Sequence, residues 1–354
     1  MRNDTRQKFD KYCAQVAQVN GVQNVATKFT ASPTVEQKLE QHIQESSSFL
    51  TQVNSYGVDE QSGEKVGLSI GSTIAGRTDT TKESRQTRDP GDTDCTTYEC
   101  KQTNFDTHLR YAKIDAWAKF PTFQILTRDM ILKQQGLDRI MIGWNGEVAA
   151  VKTDRDTNPM LQDVNIGWMA KLQKEASARY MIEGETAGEI RVGKGNADQG
   201  FGDYANMDSL IHDMRSSLLA PWHARNNMFT AICGSQLVDD KYFPLIETHG
   251  STPTEAQALD MMISNKKMGG LRVAEVPFFP DRSVMITLLG KSGESNLSIY
   301  HQNGTRRRHI KDNPERDRVE NYESVNESYV IEDLTACCAA VNIKLWDAVD
   351  GKWY

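Results

Sequence analysis

An α+β fold is predicted from three features of the chain. Apolar residues recur at helical spacing over residues 3–20, 120–144, 163–178 and 207–222. Short runs with strand character lie at 229–233, 284–289 and 297–300. Between residues 77 and 97 there is no Val, Ile, Leu, Met, Phe, Tyr or Trp, so a long polar stretch interrupts the pattern without being able to pack a core. With 354 residues, 38% of them apolar and 25% charged, the chain suits about two domains with buried interiors, which excludes a disordered or fibrous protein.

In the first helical segment Phe9, Tyr12, Val16 and Val19 share a face, and Asn20-Gly21 supplies the stop. A weaker stretch follows. Ser32-Pro33 then opens a second helical pattern whose stripe holds Val35, Leu39, Ile43, Phe49, Leu50 and Val53. The polar tract is flanked by alternating Val66, Leu68, Ile70 and by Phe105, Leu109, Tyr111, which predicts a two-stranded arm with a polar tip. A lone hairpin is marginal in water, so an arm of this length calls for a supporting partner surface. The longest helix is expected over 120–144, with Phe120, Phe123, Leu126, Met130, Leu137, Ile140, Met141 and Trp144 on one face and Asn145-Gly146 after it. The remainder mixes short helices and strands, without repeats.

Charge and motifs narrow the function. Forty-one Lys and Arg against 48 Asp and Glu leave −7, which disfavours a dedicated duplex binder. The apolar runs are far below the roughly 20 residues of a membrane span, and the charged amino terminus lacks the apolar centre of a secretory signal, so the chain is expected to stay in the cytoplasm where it is made. Six scattered Cys and seven scattered His form no CxxC, HxxxH or HExxH spacing, so neither disulfide nor metal is expected. Residues 71–78 have the glycine spacing of a phosphate loop, but Arg77 stands where a Lys is needed and a polar tract follows instead of a helix; an NTP-dependent enzyme is the alternative of a different class. Gly193-Lys194-Gly195 reads as a turn. No nucleophile elbow occurs, and no catalytic residue, cofactor or metal site is predicted. The basic run Arg306-Arg307-Arg308-His309, with Lys311 and Arg316, alternates with Asp312, Glu315, Asp317 and Glu320, and reads as a solvated loop or a charged contact between subunits.

The order of parts resembles the shell proteins of tailed phages. At residue level, Asn158-Pro159-Met160-Leu161-Gln162-Asp163-Val164, Glu189-Ile190-Arg191-Val192-Gly193-Lys194-Gly195, Asp240-Lys241-Tyr242-Phe243-Pro244, Leu297-Ser298-Ile299-Tyr300 and Asp317-Arg318-Val319-Glu320-Asn321-Tyr322-Glu323-Ser324 are similar to the major capsid proteins of the P-two-like phages (peduoviruses).

That resemblance implies a Hong Kong 97-type capsid fold and a structural, non-enzymatic role in an icosahedral shell. It implies a cleavable leader at 1–29, an N-terminal arm at 30–55, an extended loop at 56–106, a peripheral domain with its spine helix at 107–157, an axial domain at 158–317, peripheral strands at 318–335 and a returning segment at 336–354. Phe29-Thr30 stands where the family is cut by a scaffold-linked protease. Implied partners are other copies as hexamers and pentamers, the internal scaffold with its protease, a portal, and packaged DNA held without sequence specificity. The virion is the implied location, with assembly in the host cytoplasm; an encapsulin-like compartment is the alternative of the same fold. One relative crosslinks an extended-loop Lys to an Asn on a neighbour. Lys82, Asn321 and Asn326 supply the types here, but they are common residues and no bond is predicted.

Overall fold

Gly21 ends the first helix as its sequence position suggests. It adopts a left-handed φ of 66°, its N–H reaches the Gln18 carbonyl, and the next N–H reaches that of Ala17. The computed structural model describes residues 1–70, 75, 77–85, 87, 91–117, 123–248, 265–290, 293–347 and 350–354. The helices are α1 (Asn3–Asn20), α2 (Pro33–Glu45), α3 (Tyr111–Trp117), α4 (Phe123–Asn145), α5 (Trp168–Glu175), α6 (Met207–Asp213) and α7 (Ser235–Thr248). The strands of the first half are β1 (Phe29–Thr30), β2 (Asn54–Val58), β3 (Ser62–Ile70), β4 (Gly91–Glu99), β5 (Lys101–Asn104), β6 (Thr107–Arg110), β7 (Tyr180–Met181), β8 (Ile190–Val192), β9 (Gly195–Asn196) and β10 (Gly200–Phe201). Those of the second half are β11 (Phe229–Cys233), β12 (Lys267–Met268), β13 (Leu271–Ala274), β14 (Val284–Leu288), β15 (Leu297–Gln302), β16 (Arg307–Asn313), β17 (Arg318–Ile331), β18 (Cys338–Ala340), β19 (Ile343–Asp347) and β20 (Lys352–Trp353).

Two larger sheets carry the body. One runs β1-β16-β17-β15-β2, with β5 and β6 also pairing to the long β17; the other runs β12-β13-β11-β14-β18-β7. Strands β11, β14 and β18 are buried on both faces, which is why their sequences read as continuous apolar runs. Around the second sheet α6 and α7 close one core, including Leu210, Ile211, Met214, Val238 and Ile286. A second core joins α2, α4 and α5 to the first sheet through tilted and edge-on rings: Trp144 and Trp168 have centroids 4.9 Å apart, and Tyr329 lies 5.4 Å from Trp168. Gly143 makes this approach possible, because a Cβ there would lie 2.3 Å from the Trp168 ring.

Several expectations are corrected. The arm's return strand is β4, inside the polar tract, whereas Phe105 and Leu109 fall in or beside β5 and β6 of the body sheet and Tyr111 begins α3. The Thr residues of β4 suffice for extended backbone without apolar alternation. Helix α4 starts at Phe123, and Phe120 lies outside the described residues. Its buried face keeps the expected Ile140 and Trp144 but is otherwise shifted: Leu132, Gln135, Arg139 and Ile142 are covered as well, Leu137 and Met141 are half-buried, and Met130 is exposed. The helix of 163–178 shortens to α5, because the chain turns through a left-handed Leu161 and extended Gly167 first. Helix α6 loses regular pitch at Met214, continuing as a π turn to Leu218. The turn expected at 193–195 is instead a bend between β8 and β9, where Gly193 has φ of 137° and the Trp346 Cβ lies 2.4 Å from where its own Cβ would stand.

Candidate assembly surfaces

The arm is built from β3 and β4 in antiparallel register, Ser62 opposite Glu99 through to Ile70 opposite Gly91. Among the described residues this pair forms no backbone ladder with another strand of its own chain. Its root is fastened. Cys100 N donates to Gln61 O at 2.7 Å, and the Lys65 ammonium donates to the carbonyls of Ile331 (2.6 Å) and Glu332, with the Glu332 carboxylate 3.7 Å away. Tyr98 meets the Tyr300 ring edge-on at 5.2 Å. Burial pushes the Lys65 pKa down despite those acceptors. The arm therefore projects from a fixed base. Of the candidate phosphate loop, residues 71–74 and 76 lie outside the described residues. Lys82 pairs with Asp79 at 3.7 Å, Asn321 touches Arg308 and Thr107, and Asn326 donates to Gln302 at 2.8 Å.

Phe29 and Thr30 form β1, an edge strand paired antiparallel to Arg308 and Arg307 of β16. Thr30 is exposed, while Phe29 is 8% exposed within a third apolar cluster. That cluster is shared between α1, which contributes Phe9, Tyr12, Cys13 and Val16, and the body, which contributes Tyr111, Ile114, Ile310 and Val319. Polar contacts frame it: Arg2 N to Asp115 at 3.0 Å, Arg6 to Asp312 at 2.8 Å, and Ile310 N to Val25 O at 3.0 Å.

The basic run is a strand, not a solvated loop, and alternation divides its residues between two environments. Arg306, just before β16, is fully buried, donating to Glu323 (Nε, 2.7 Å), to Gln135 (3.0 Å) and to Glu40. Arg139 of α4 donates to Glu40 from Nη1 at 2.6 Å and Nη2 at 3.0 Å, and its Nε lies 2.8 Å from Glu327. Arg308 approaches Glu323 at 3.7 Å. Burial works against the charge on Glu40, but Arg139 and Arg306 outweigh it and hold the carboxyl well below the usual range. The same contest leaves Glu323 lowered beside Arg306 and Arg308, whereas burial wins at Glu327 and raises it. This network locks α2, α4, β16 and β17 together. Arg307 and Lys311, with Lys28, line an open polar groove of about 460 Å³ beside β1, which Arg308 and Glu323 also border. The pattern that could have announced the buried charges was present: Glu36 and Glu40 sit one turn apart among Val35, Leu39 and Ile43, and Arg139 adjoins Ile140.

A two-stranded arm, fastened at its root and forming no further ladder among the described residues, is the feature that sets this chain apart from a self-contained domain. The family model for the phage major capsid protein, P2 family, matches residues 8–343. The chain belongs to this P2 family of major capsid proteins. It is 44% identical over 356 residues to the capsid protein of Escherichia phage P2, covering 98% of this chain and 96% of that protein. It is 37% identical over 340 residues to the major capsid protein of Serratia phage KSP20, covering 94% of each. Among solved structures it is similar to a chain of the satellite phage P4 procapsid that includes the size determination (Sid) protein, with a TM-score of 0.78, 41% identity, and 98% and 99% of the two chains covered. As a P2-family capsid protein it has the Hong Kong 97-type fold and builds the icosahedral shell of the virion by self-association. The match to a phage family, rather than to the fold alone, separates it from the encapsulin-like alternative.

Proposed function

We propose that the subunit assembles by laying its β3–β4 arm across a neighbouring copy, within hexamers and pentamers, and that its role is structural rather than catalytic. The observation that carries this is the arm itself, which pairs with no other strand of its chain among the described residues and so leaves its edges for another molecule to cover. Many weak contacts per subunit then sum to a durable shell, since each 1.4 kcal/mol is about tenfold in equilibrium.

Residues 1–29 act as a leader and Phe29-Thr30 as the processing site, cut by the protease of an internal scaffold. Support comes from the strand geometry: β1 is an extended edge segment, and extended backbone is what a protease cleft accepts, provided that β1 peels from β16 to free the buried Phe29. The leader carries five Lys and Arg against two Asp, so its loss takes the formal charge from −7 to −10 and makes the wall less adhesive to packaged DNA. The remaining boundaries, with the axial domain at 158–317 and the portal as a further partner, complete the proposal. Co-expression with scaffold tests it: electron micrographs should show closed angular particles, and mass spectrometry of mature particles should find a subunit beginning at Thr30. Full-length subunits throughout mature shells would reject the processing site.

A further inference from the structure

Besides the chain at residue 29 and the strand contacts of residues 25–29 with β16, the leader is attached to its subunit by the docked face of α1. Phe9, Tyr12, Cys13 and Val16 pack on Tyr111, Ile114, Ile310 and Val319, and Arg6 pairs with Asp312 at 2.8 Å. Every one of these partners belongs to residues that remain after processing. Hydrolysis of the Phe29-Thr30 bond adds one water across it and yields a Phe29 carboxylate and a Thr30 ammonium. The carboxylate arises opposite Arg308 and next to Arg307, where it is attracted rather than expelled. Nothing in the cut itself undoes the apolar contact.

We infer that the docked face of α1 holds the leader on the subunit in trans, so that cutting the chain leaves the leader seated and its departure is a separate step. The site is an apolar seam over Leu109, Ile114, Ile310 and Val319, and its occupant is an amphipathic helix with the leader's own spacing. The inference rests on the proposed processing only for its place in maturation.

The test uses the full-length subunit, purified without the protease, carrying a sequence-specific protease site inserted between the exposed Gln23 and Asn24. After nicking, the α1 fragment should co-elute with the body in size exclusion, and fluorescence of an apolar dye should rise only when the fragment leaves. Phe9→Ser with Val16→Ser should speed that release at least about tenfold, the effect of losing roughly 1.4 kcal/mol of docking, while the exposed Lys11→Ala should not. Immediate loss of the wild-type fragment, at the rate of the double variant, overturns the inference. Because the inserted site replaces the natural cut, native particles beginning elsewhere than Thr30 would reject the processing site while leaving this result standing.

Discussion

Replacing Glu40 by Gln keeps the shape of the side chain and removes one charge from the buried network. Glu40 accepts two hydrogen bonds from Arg139, at 2.6 and 3.0 Å, and one from Arg306, and all three side chains are at most 5% exposed. Breaking a buried pair by removing one partner costs about 3–5 kcal/mol, because the remaining charge stays desolvated. Gln retains one acceptor oxygen, so a loss near the lower end, about 3 kcal/mol, is expected, a large share of the roughly 5–15 kcal/mol that holds a domain folded. Urea unfolding of the unassembled subunit at pH 7 measures it. The pH dependence adds a second constraint. A carboxyl whose folded pKa lies below its unfolded value of about 4.3 contributes stability that is complete above that value and lost as pH falls toward the folded one. Glu40 is such a group, so the gap between wild type and variant should narrow below about pH 4. Glu327, raised chiefly by burial and also by Glu40, has the opposite sign. A difference under about 1 kcal/mol at pH 7, or a gap unchanged on acidification, would refute the view that the network's ionised form locks α2 to the sheet.

Further outcomes follow from single positions. Ile140→Ala, at a fully buried site on α4, should cost about 2–5 kcal/mol, whereas Leu137→Ala on the half-buried flank should cost less than half as much; equal losses in thermal unfolding would contradict the observed shift of the buried face. Gly193→Val should reduce the soluble yield, since it demands a φ of 137° of a β-branched residue and collides with Trp346. Lys65→Met should leave circular dichroism unchanged but loosen the arm's root, seen as faster proteolysis between β3 and β4 and fewer shells.

Much of the fold was legible because it follows from local pattern. The helix at 3–20 stops where Asn20-Gly21 says it should, and the apolar run of β11 is a strand buried on both faces. Where the expectations slipped, tertiary partners decided the outcome. Strand β4, mostly polar in sequence, is set by its pairing with β3 rather than by an apolar alternation of its own. Helix α4 turns Arg139 and Gln135 inward because Glu40, Glu327 and Arg306, distant in sequence, assemble opposite them. The basic run looked balanced by its neighbours along the chain, yet Arg306 is neutralised by Glu40 and Glu323 across the fold. Phe29 and Thr30 were singled out by family resemblance, and their edge-strand pairing could not be read from two residues.

The proposed arm exchange is tested most directly by removing the arm. Ser62 pairs with Glu99 at its base, so the chain from residue 63 to 98 can be replaced by a short Gly-Ser connection without stretching the body. The shortened subunit should fold with an unchanged far-ultraviolet spectrum after allowance for the missing strands, and should form no closed shells when co-expressed with scaffold. Closed particles at the wild-type yield would contradict the account.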